Sequence, residues 1–361
     1  MIASAKELLN ARPYCFSQKD KGLLLLDALQ FLTEQHRSKC LLYDQLLSLF
    51  YPDFTKAAAL AEIPHFPVSL FKTHEWLSIP REEIFKLLMS SGTTSSIPSK
   101  IYLDRETAAL QTQALAKIMM SFLGHQRLPM LLVEQENFLK DPKRFSARAA
   151  GVLGMLSFGR DPLYALDANL ELKHQAVLDW AEKYKHTPVL IFGFTFMLWK
   201  FFLKKMEKFP DFLNQAIVIH TGGWKKLLDE SVDNEQFKRK FRDVLGIERV
   251  HNFYGMAEQV GSVFMECEKG LLHCPNFAEI IIRDPQTWQE APTGVPGVLQ
   301  TLSILPGSYP GHSLLTEDLG RVEGIDSCPC GRNGKAFQVI GRIPKVELRG
   351  CSDTFSPGDA E

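Results

Sequence analysis

The sequence predicts an α/β fold: a largely parallel sheet alternating with helices, followed by a smaller antiparallel or barrel-like β subdomain. Three observations carry this. Short apolar runs bounded by turn residues recur at 128–133, 188–194 and 216–219, which is the texture of strands buried on both faces. Segments with helical spacing lie before, between and after them, at 106–122, 170–185, 196–208 and 237–245. Beyond Gln259 the pattern changes to short strands at 278–283, 297–304 and 336–342, separated by Asp284-Pro285, Pro306-Gly307 and Pro310-Gly311.

Taken in order, residues 1–80 read as mainly helical. Apolar residues at 23–32 and 41–50 recur with helical spacing, and Pro52 and Pro64 punctuate the region. Phe71 and Lys72 either face a pocket or, as the commoner case, serve a structural role. A buried strand at 84–89 then leads into Ser90-Ser91-Gly92-Thr93-Thr94-Ser95-Ser96, with six hydroxyl side chains in seven residues around one glycine. Such a turn offers backbone N–H groups and hydroxyls suited to phosphate oxygens. It is not a Walker A loop, whose Gly-Lys pair is missing. Asp104-Arg105-Glu106-Thr107 opens the next helix. The strand at 216–219 runs into Thr221-Gly222-Gly223, where a planar ligand can approach the backbone, at the strand end where open α/β sheets place ligands.

Composition narrows the functional classes. The chain has 361 residues, 45% hydrophobic and 23% charged, enough for one large or two ordinary domains. With 41 basic against 42 acidic residues the net charge is −1, which gives no electrostatic case for nucleic acid or an anionic membrane. The start lacks the basic and apolar pattern of a secretory signal, and the most apolar run, 189–199, is too short to span a bilayer. A cytoplasmic protein is expected. Seven cysteines, four of them at 267, 274, 328 and 330, favour metal or chemistry over disulfides in a reducing compartment. Cys267, His273, Cys328 and Cys330 form a closed four-ligand zinc set, with the last pair in a Pro–Gly knuckle; Cys274 is the alternative to His273.

Four further pieces stand in order: the hydroxyl loop, Tyr254-Gly255-Met256-Ala257-Glu258, Thr316-Glu317-Asp318-Leu319-Gly320-Arg321, and Gly341-Arg342 running on to Gly350. Their order and spacing resemble the acyl-adenylate-forming (ANL) superfamily. Gly222-Gly223-Trp224-Lys225, Cys328-Pro329-Cys330-Gly331-Arg332 and the terminal Arg349 to Asp353 are most similar to its acyl-protein synthetase (LuxE type) and phenylacetate-CoA ligase branch. The resemblance covers roughly residues 65 to 353. The chain departs from the superfamily pattern at Ser95, where a glycine is usual, at Lys100, two residues late, and at Pro344, where an acidic residue is common.

The resemblance implies an ANL large domain over residues 1–340, with 341–361 a hinge-motif remnant and tail. The family's small, mobile C-terminal domain is not expected in a chain that ends soon after Gly350. It implies ATP-dependent activation of a carboxylic acid, most readily a fatty acid, as an acyl-adenylate, then transfer to a thiol and on to a partner such as an acyl reductase. Ser90, Ser91, Gly92, Thr93 and Thr94 would hold the β- and γ-phosphates, and Glu258 would carry Mg²⁺. Tyr254, with Gly255 and Met256, would flank adenine beside Gly222 and Gly223. Asp318 would accept from the ribose hydroxyls, with Arg342 near ribose or phosphate. Cys351 would be the acyl-accepting thiol, with Arg349 lowering its pKa. In phenylacetate-type relatives a structural zinc occupies the cysteine region. Two other readings stand open, a CoA ligase and a nucleotide-binding scaffold without catalysis. The aromatic run Phe192, Phe194, Phe196 and Trp199 is either an acyl tunnel wall or core packing.

Overall fold

The computed structural model describes residues 1–90, 97–136, 147–206, 213–224 and 230–343. They fall into two compact units. The first comprises the described residues up to 121 together with those from 255 onward, and the second those from 122 to 254.

The first unit opens with helices α1 (Ala3–Asn10), α2 (Gln18–Lys39) and α3 (Leu41–Phe50). Ser17 caps α2, its Oγ accepting from the Asp20 N–H at 3.2 Å, and Arg37 and Lys39 sit in the last turn where the helix dipole favours cations. Strand β1 (Phe66–Pro67) and the short α4 (Leu70–Thr73) follow, then a hairpin of β2 (Lys86–Met89) and β3 (Lys100–Leu103). Helix α5 (Arg105–Leu123) starts on an Asp104 cap that accepts from the Thr107 N–H at 2.7 Å. Tyr43, Leu47, Phe66, Phe71, Trp76, Leu88, Ile101, Leu103, Tyr309 and Leu314 form a buried core cluster among these elements.

The second unit is a parallel sheet of β4 (Leu128–Gln135), β5 (Gly159–Leu166), β6 (Leu190–Phe194), β7 (Ile217–Thr221) and β8 (Arg249–Tyr254), in the order β5-β4-β6-β7-β8. The connecting helices are α6 (Ala147–Leu156), α7 (His174–Lys183), α8 (Thr195–Met197) and α9 (Asn234–Leu245). All five residues of β6 are buried, as a strand covered on both faces requires. Gly193 has to be glycine: a Cβ there would lie 2.9 Å from Leu198 Cγ and 3.1 Å from Val133 Cβ. The helix expected at 196–208 is observed as α8 running into a π-helical turn, Leu198–Leu203, a feature frequent at functional positions. In α9, Phe237, Phe241, Val244 and Leu245 share one buried face, and Gly246 ends the helix at φ +67°. The basic run at 238–242 surrounds that buried Phe241. Phe192, Phe194 and Phe196 are buried, whereas Trp199 is half-buried and stacks on Phe237 at 6.0 Å.

The remaining strands return to the first unit: β9 (Phe264–Glu266), β10 (Leu272–His273), β11 (Ala278–Arg283), β12 (Gly297–Ser303), β13 (Ser313–Ile325) and β14 (Lys335–Arg342). They pair antiparallel in the order β11-β12-β13-β14-β10-β9, and β1 adds to β13 in parallel with Phe66 opposite Leu314. The antiparallel subdomain expected beyond Gln259 is therefore present, with two long strands, β13 and β14, joined by the cysteine knuckle.

Candidate functional site

In the second unit the strand ends gather the expected adenine-side residues. Parallel β7 and β8 both finish at the same edge, Thr221 opposite Phe253 in register, and Thr221 Oγ1 donates to the Phe253 carbonyl at 2.9 Å. Gly222 follows at φ +81°, a conformation that favours glycine, and a Cβ on Gly223 would meet none of the described residues within 4 Å. Tyr254, half-buried, closes β8.

In the first unit Glu258 lies in a 3₁₀ turn, Ala257–Gln259, and is buried. Its backbone carbonyl accepts from the Tyr309 hydroxyl at 2.9 Å, and Gln259 Nε2 donates to the carbonyls of Gly311 at 2.8 Å and Thr301 at 3.2 Å. Gly261, at φ +87°, packs where a Cβ would come within 2.6 Å of the Gln111 carbonyl. The turn carrying Glu258 is thus held rigidly from below. Burial raises the Glu258 carboxyl above its ordinary range, against the opposing pull of Ser99, of its own backbone N–H and, after these, of the Lys72 ammonium. Met256 lies beside Thr301, sulfur to Oγ1 3.9 Å.

Asp318 and Arg342 are cross-strand partners on β13 and β14, and Arg342 Nε stands 3.5 Å from Asp318 Oδ1. The guanidinium orients the carboxylate while leaving it lone pairs for hydroxyl donors. Next to them Glu317 pairs with Lys72, Nζ to Oε1 3.8 Å. Lys72, for which the sequence left both a pocket-facing and a structural role open, faces Glu317 and acts on the Glu258 carboxyl. Ser90 sits at the neck of the hydroxyl loop: its N–H donates to the Ser99 carbonyl at 3.0 Å and its Oγ accepts from the Ser99 N–H at 2.8 Å. Ser91, Gly92, Thr93, Thr94 and Cys351 lie outside the described residues.

Cys267, His273, Cys328 and Cys330 converge so that their ligand atoms all lie within 4.8 Å of one another. Cys267 follows β9, His273 ends β10, and the last two lie in the knuckle before β14. The separations are 3.9 Å between the sulfurs of Cys267 and Cys328, and 3.4 Å from Cys330 Sγ to His273 Nε2. A tetrahedral zinc with bonds of about 2.3 Å to sulfur and 2.0 Å to nitrogen would place such atoms roughly 3.5–3.8 Å apart. The donor set fits zinc. Cys274, the alternative ligand, stands outside this group, buried and interacting with Glu279.

The electrostatics agree with a ligand role. Burial lowers His273 to about 4, so the imidazole is neutral and its nitrogen available. Burial pushes the Cys267 thiol up to about 12 and raises that of Cys328. Burial acts in the same sense on Cys330, but the Arg332 N–H groups outweigh it and hold that thiol below its ordinary value. A divalent cation would overcome the cost of ionising all three. The Lys269 N–H points at Cys267 Sγ from 3.3 Å, and Arg332 is held by Glu268 at 2.7 and 3.2 Å. Gly331, at φ +81°, lets the knuckle turn tightly enough for its N–H to reach the Cys328 carbonyl at 3.1 Å.

Comparison with known proteins places this arrangement. Residues 1–358 match the family "Acyl-protein synthetase, LuxE". The chain is 24% identical over 312 residues to the long-chain-fatty-acid–luciferin-component ligase of Vibrio harveyi, covering 82% of this chain and 78% of that protein. It is 23% identical over 310 residues to the enzyme of the same name from Aliivibrio fischeri, covering 81% and 77%. Among solved structures, 2-hydroxyisobutyryl-CoA ligase with 2-HIB-AMP and CoA superposes with a TM-score of 0.67 at 18% identity, over 94% of this chain and 79% of that one. That likeness shows an adenylating-ligase fold. With a family match spanning nearly its whole length, the chain belongs to the LuxE acyl-protein synthetase family and is an acyl-adenylate-forming ligase.

Proposed function

We propose that this enzyme activates a long-chain fatty acid with ATP and passes the acyl group to its own Cys351, and from there to a partner protein. The observation that carries the reading is the family match over residues 1–358. In the first half-reaction a carboxylate oxygen attacks the α-phosphorus of ATP, and the bond to the bridging oxygen breaks to release pyrophosphate. Bringing two anions together is the barrier, so fixed cations and orientation supply the catalysis. Asp318, set by Arg342, accepts from the ribose hydroxyls; the Gly222-Gly223 turn and Tyr254 flank adenine. The hydroxyl loop from Ser90 to Thr94 takes the terminal phosphates. Glu258 would carry Mg²⁺: a buried carboxyl with a raised pKa is a group that a divalent cation would return to its ionised form. Lys72 adds a positive charge on the same side of the first unit. In the second half-reaction the Cys351 thiolate attacks the acyl carbonyl, AMP leaves, and a thioester remains. The four-ligand set Cys267, His273, Cys328 and Cys330 would hold a zinc ion in a structural role, since it offers four protein ligands.

The acceptor of the thioester is an acyl-reducing partner, and the enzyme works in the cytoplasm, where its thiols stay reduced. Among the described residues no helix is long and apolar enough to cross a membrane. Carboxylate-dependent ATP–pyrophosphate exchange without CoA, scanned over short, long and aromatic acids, tests the first step; exchange confined to short acids would refute the fatty-acid assignment. Labelled acid should then give a hydroxylamine-labile acyl-enzyme. Cys351→Ala should abolish that label while preserving exchange, and a label that survives would remove Cys351 from the scheme.

A further inference from the structure

A buried hydrogen-bond chain in the second unit ends on the Gly222 carbonyl. Thr195, the first residue of α8, is 6% exposed, and His220, the fourth residue of β7, is 2% exposed. Thr195 Oγ1 lies 2.9 Å from His220 Nδ1, 2.7 Å from the Gly222 carbonyl oxygen and 3.2 Å from the Thr221 carbonyl oxygen. A hydroxyl has one proton to give. If it went to His220 Nδ1, the Thr195 oxygen would face the Gly222 carbonyl lone pair to lone pair at 2.7 Å. Donation to Gly222 is therefore the arrangement that satisfies the contacts, and it requires Nδ1–H on His220. The chain runs in one direction, from His220 Nδ1–H to Thr195 Oγ–H to the Gly222 carbonyl.

Two further features agree with that direction. Nδ1 protonation leaves the lone pair of a neutral ring on Nε2, and Nε2 is buried with no hydrogen-bond partner among the described residues. Phe237 covers the ring, centroid to centroid 4.6 Å, and burial holds the histidine neutral, its pKa lowered to about 3. The carbonyl being held belongs to the residue at φ +81°, so the chain grips the turn where its backbone departs from the strand. Just past the turn Trp224 packs edge-on to Trp199 at 5.6 Å and to Phe237 at 6.1 Å. The Gly222-Gly223 turn is thus fixed on both sides by residues of one unit, and α8 continues into the π-helical turn that carries Trp199.

We propose that Thr195 and His220 are positioning residues that preset the Gly222-Gly223 turn as the platform for the adenine ring of ATP. This rests on the reading of that turn as nucleotide-facing. Neither side chain touches substrate; each acts through the backbone of the turn. Losing the donor leaves the Gly222 carbonyl unanchored, so the turn samples conformations that do not accept the base, and ATP binding bears the cost.

The test uses the full chain and ATP–pyrophosphate exchange with a saturating acid. Thr195→Val keeps the shape and removes the donor; it should raise the KM for ATP about tenfold while kcat and the KM for the acid change less than twofold. Thr195→Ser should restore the ATP KM to within about twofold of the parent. Gly223→Val, whose added Cβ meets none of the described residues within 4 Å, should raise the ATP KM without moving the melting temperature. If Gly223→Val leaves the ATP KM unchanged, the turn is not the nucleotide platform and the proposal falls with that reading. If Gly223→Val raises it but Thr195→Val does not, the reading of the turn stands and the positioning role is refuted. Equal losses for ATP and acid in Thr195→Val would show a general structural role and also refute it. Should Thr195→Val not fold, Thr195→Ala, which deletes the same donor, is read by the same criterion.

Discussion

Removing one ligand from the cysteine–histidine cluster should undo more than a metal site, because the knuckle also anchors the start of the chain. The Asn333 N–H donates to the Tyr14 carbonyl at 3.1 Å, Asn333 Nδ2 to the Cys15 carbonyl at 3.1 Å, and Asn276 Nδ2 to the Arg12 carbonyl at 2.8 Å. The Tyr14 ring meets His273 edge-on, centroids 6.2 Å apart, and Tyr14 is buried. At about 1 kcal/mol per hydrogen bond and about 2 kcal/mol for the buried aromatic ring, docking of residues 12–15 is worth roughly 4–5 kcal/mol. That docking depends on the positions of His273 and residues 328–333, which the metal would hold. Cys330→Ala removes one of four ligands and should lower bound zinc from one equivalent to well under a tenth after dialysis against a mild chelator. Hydrogen exchange should then show amides of residues 14–18 losing a protection factor of about 10³, the equivalent of roughly 4 kcal/mol. Elemental analysis and exchange mass spectrometry read these two quantities separately. Stoichiometric zinc in Cys330→Ala, or metal-free parent protein with unchanged protection at residues 14–18, would refute the coupling.

Two other predictions follow from charged groups. Burial opposes ionisation of Glu279, but the ammonium groups of Lys21 and Lys335, Gln18 and the Ile280 N–H outweigh it and hold the carboxyl at about 2. A depressed carboxylate contributes stability that is complete above its unfolded pKa, near 4.5, and is lost as pH falls toward 2, at up to about 1.4 kcal/mol per pH unit. His36 and His220, both neutralised by burial and lowered to about 3, act over a higher window. Below about 6.5 the unfolded chain takes protons that the folded rings refuse, so stability begins to fall there. Urea midpoints should therefore decline from pH 7 to 5 and more steeply below 4.5; a flat profile from 7 to 5 would contradict neutral buried histidines. Asp318→Asn breaks a half-exposed pair whose stability contribution is within about 1 kcal/mol, so its melting temperature should stay within a few degrees. Its kcat/KM for ATP should nonetheless drop about 10- to 100-fold, the worth of a charged hydrogen bond to ribose, and an unchanged value would end the ribose assignment.

Part of this molecule is readable residue by residue. The buried parallel strands β4, β6 and β7 are continuous apolar runs because both faces are covered, and that signal is local. The Asp104 and Asp233 caps and Gly246 mark helix ends through chemistry within one turn. The cysteine clustering likewise points to Cys267, His273, Cys328 and Cys330, whose ligand atoms the fold brings together as a set that could hold a metal.

The remainder depended on tertiary structure. β5 carries Asp161-Pro162 and is exposed along its first half as an edge strand, so its sequence reads as a turn. β13 contains Thr316-Glu317-Asp318 and two glycines, polar because its middle is half-buried, and only pairing with β12 and β14 makes thirteen residues one strand. The choice of His273 over Cys274 follows from neighbouring residues on an extended chain pointing to opposite faces, one to the cluster and one to Glu279. Lys72 meeting Glu317, Asp318 meeting Arg342, and Thr195 meeting both His220 and Gly222 join residues far apart in the chain. A threonine and a histidine inside apolar runs carry no local sign of a shared proton. The sequence alone pointed to the chemistry of the family, because the motifs that resemble it are residue types in a fixed order. Which side chains hold those groups in place is set by distances across the sheet, and those exist only in the folded chain.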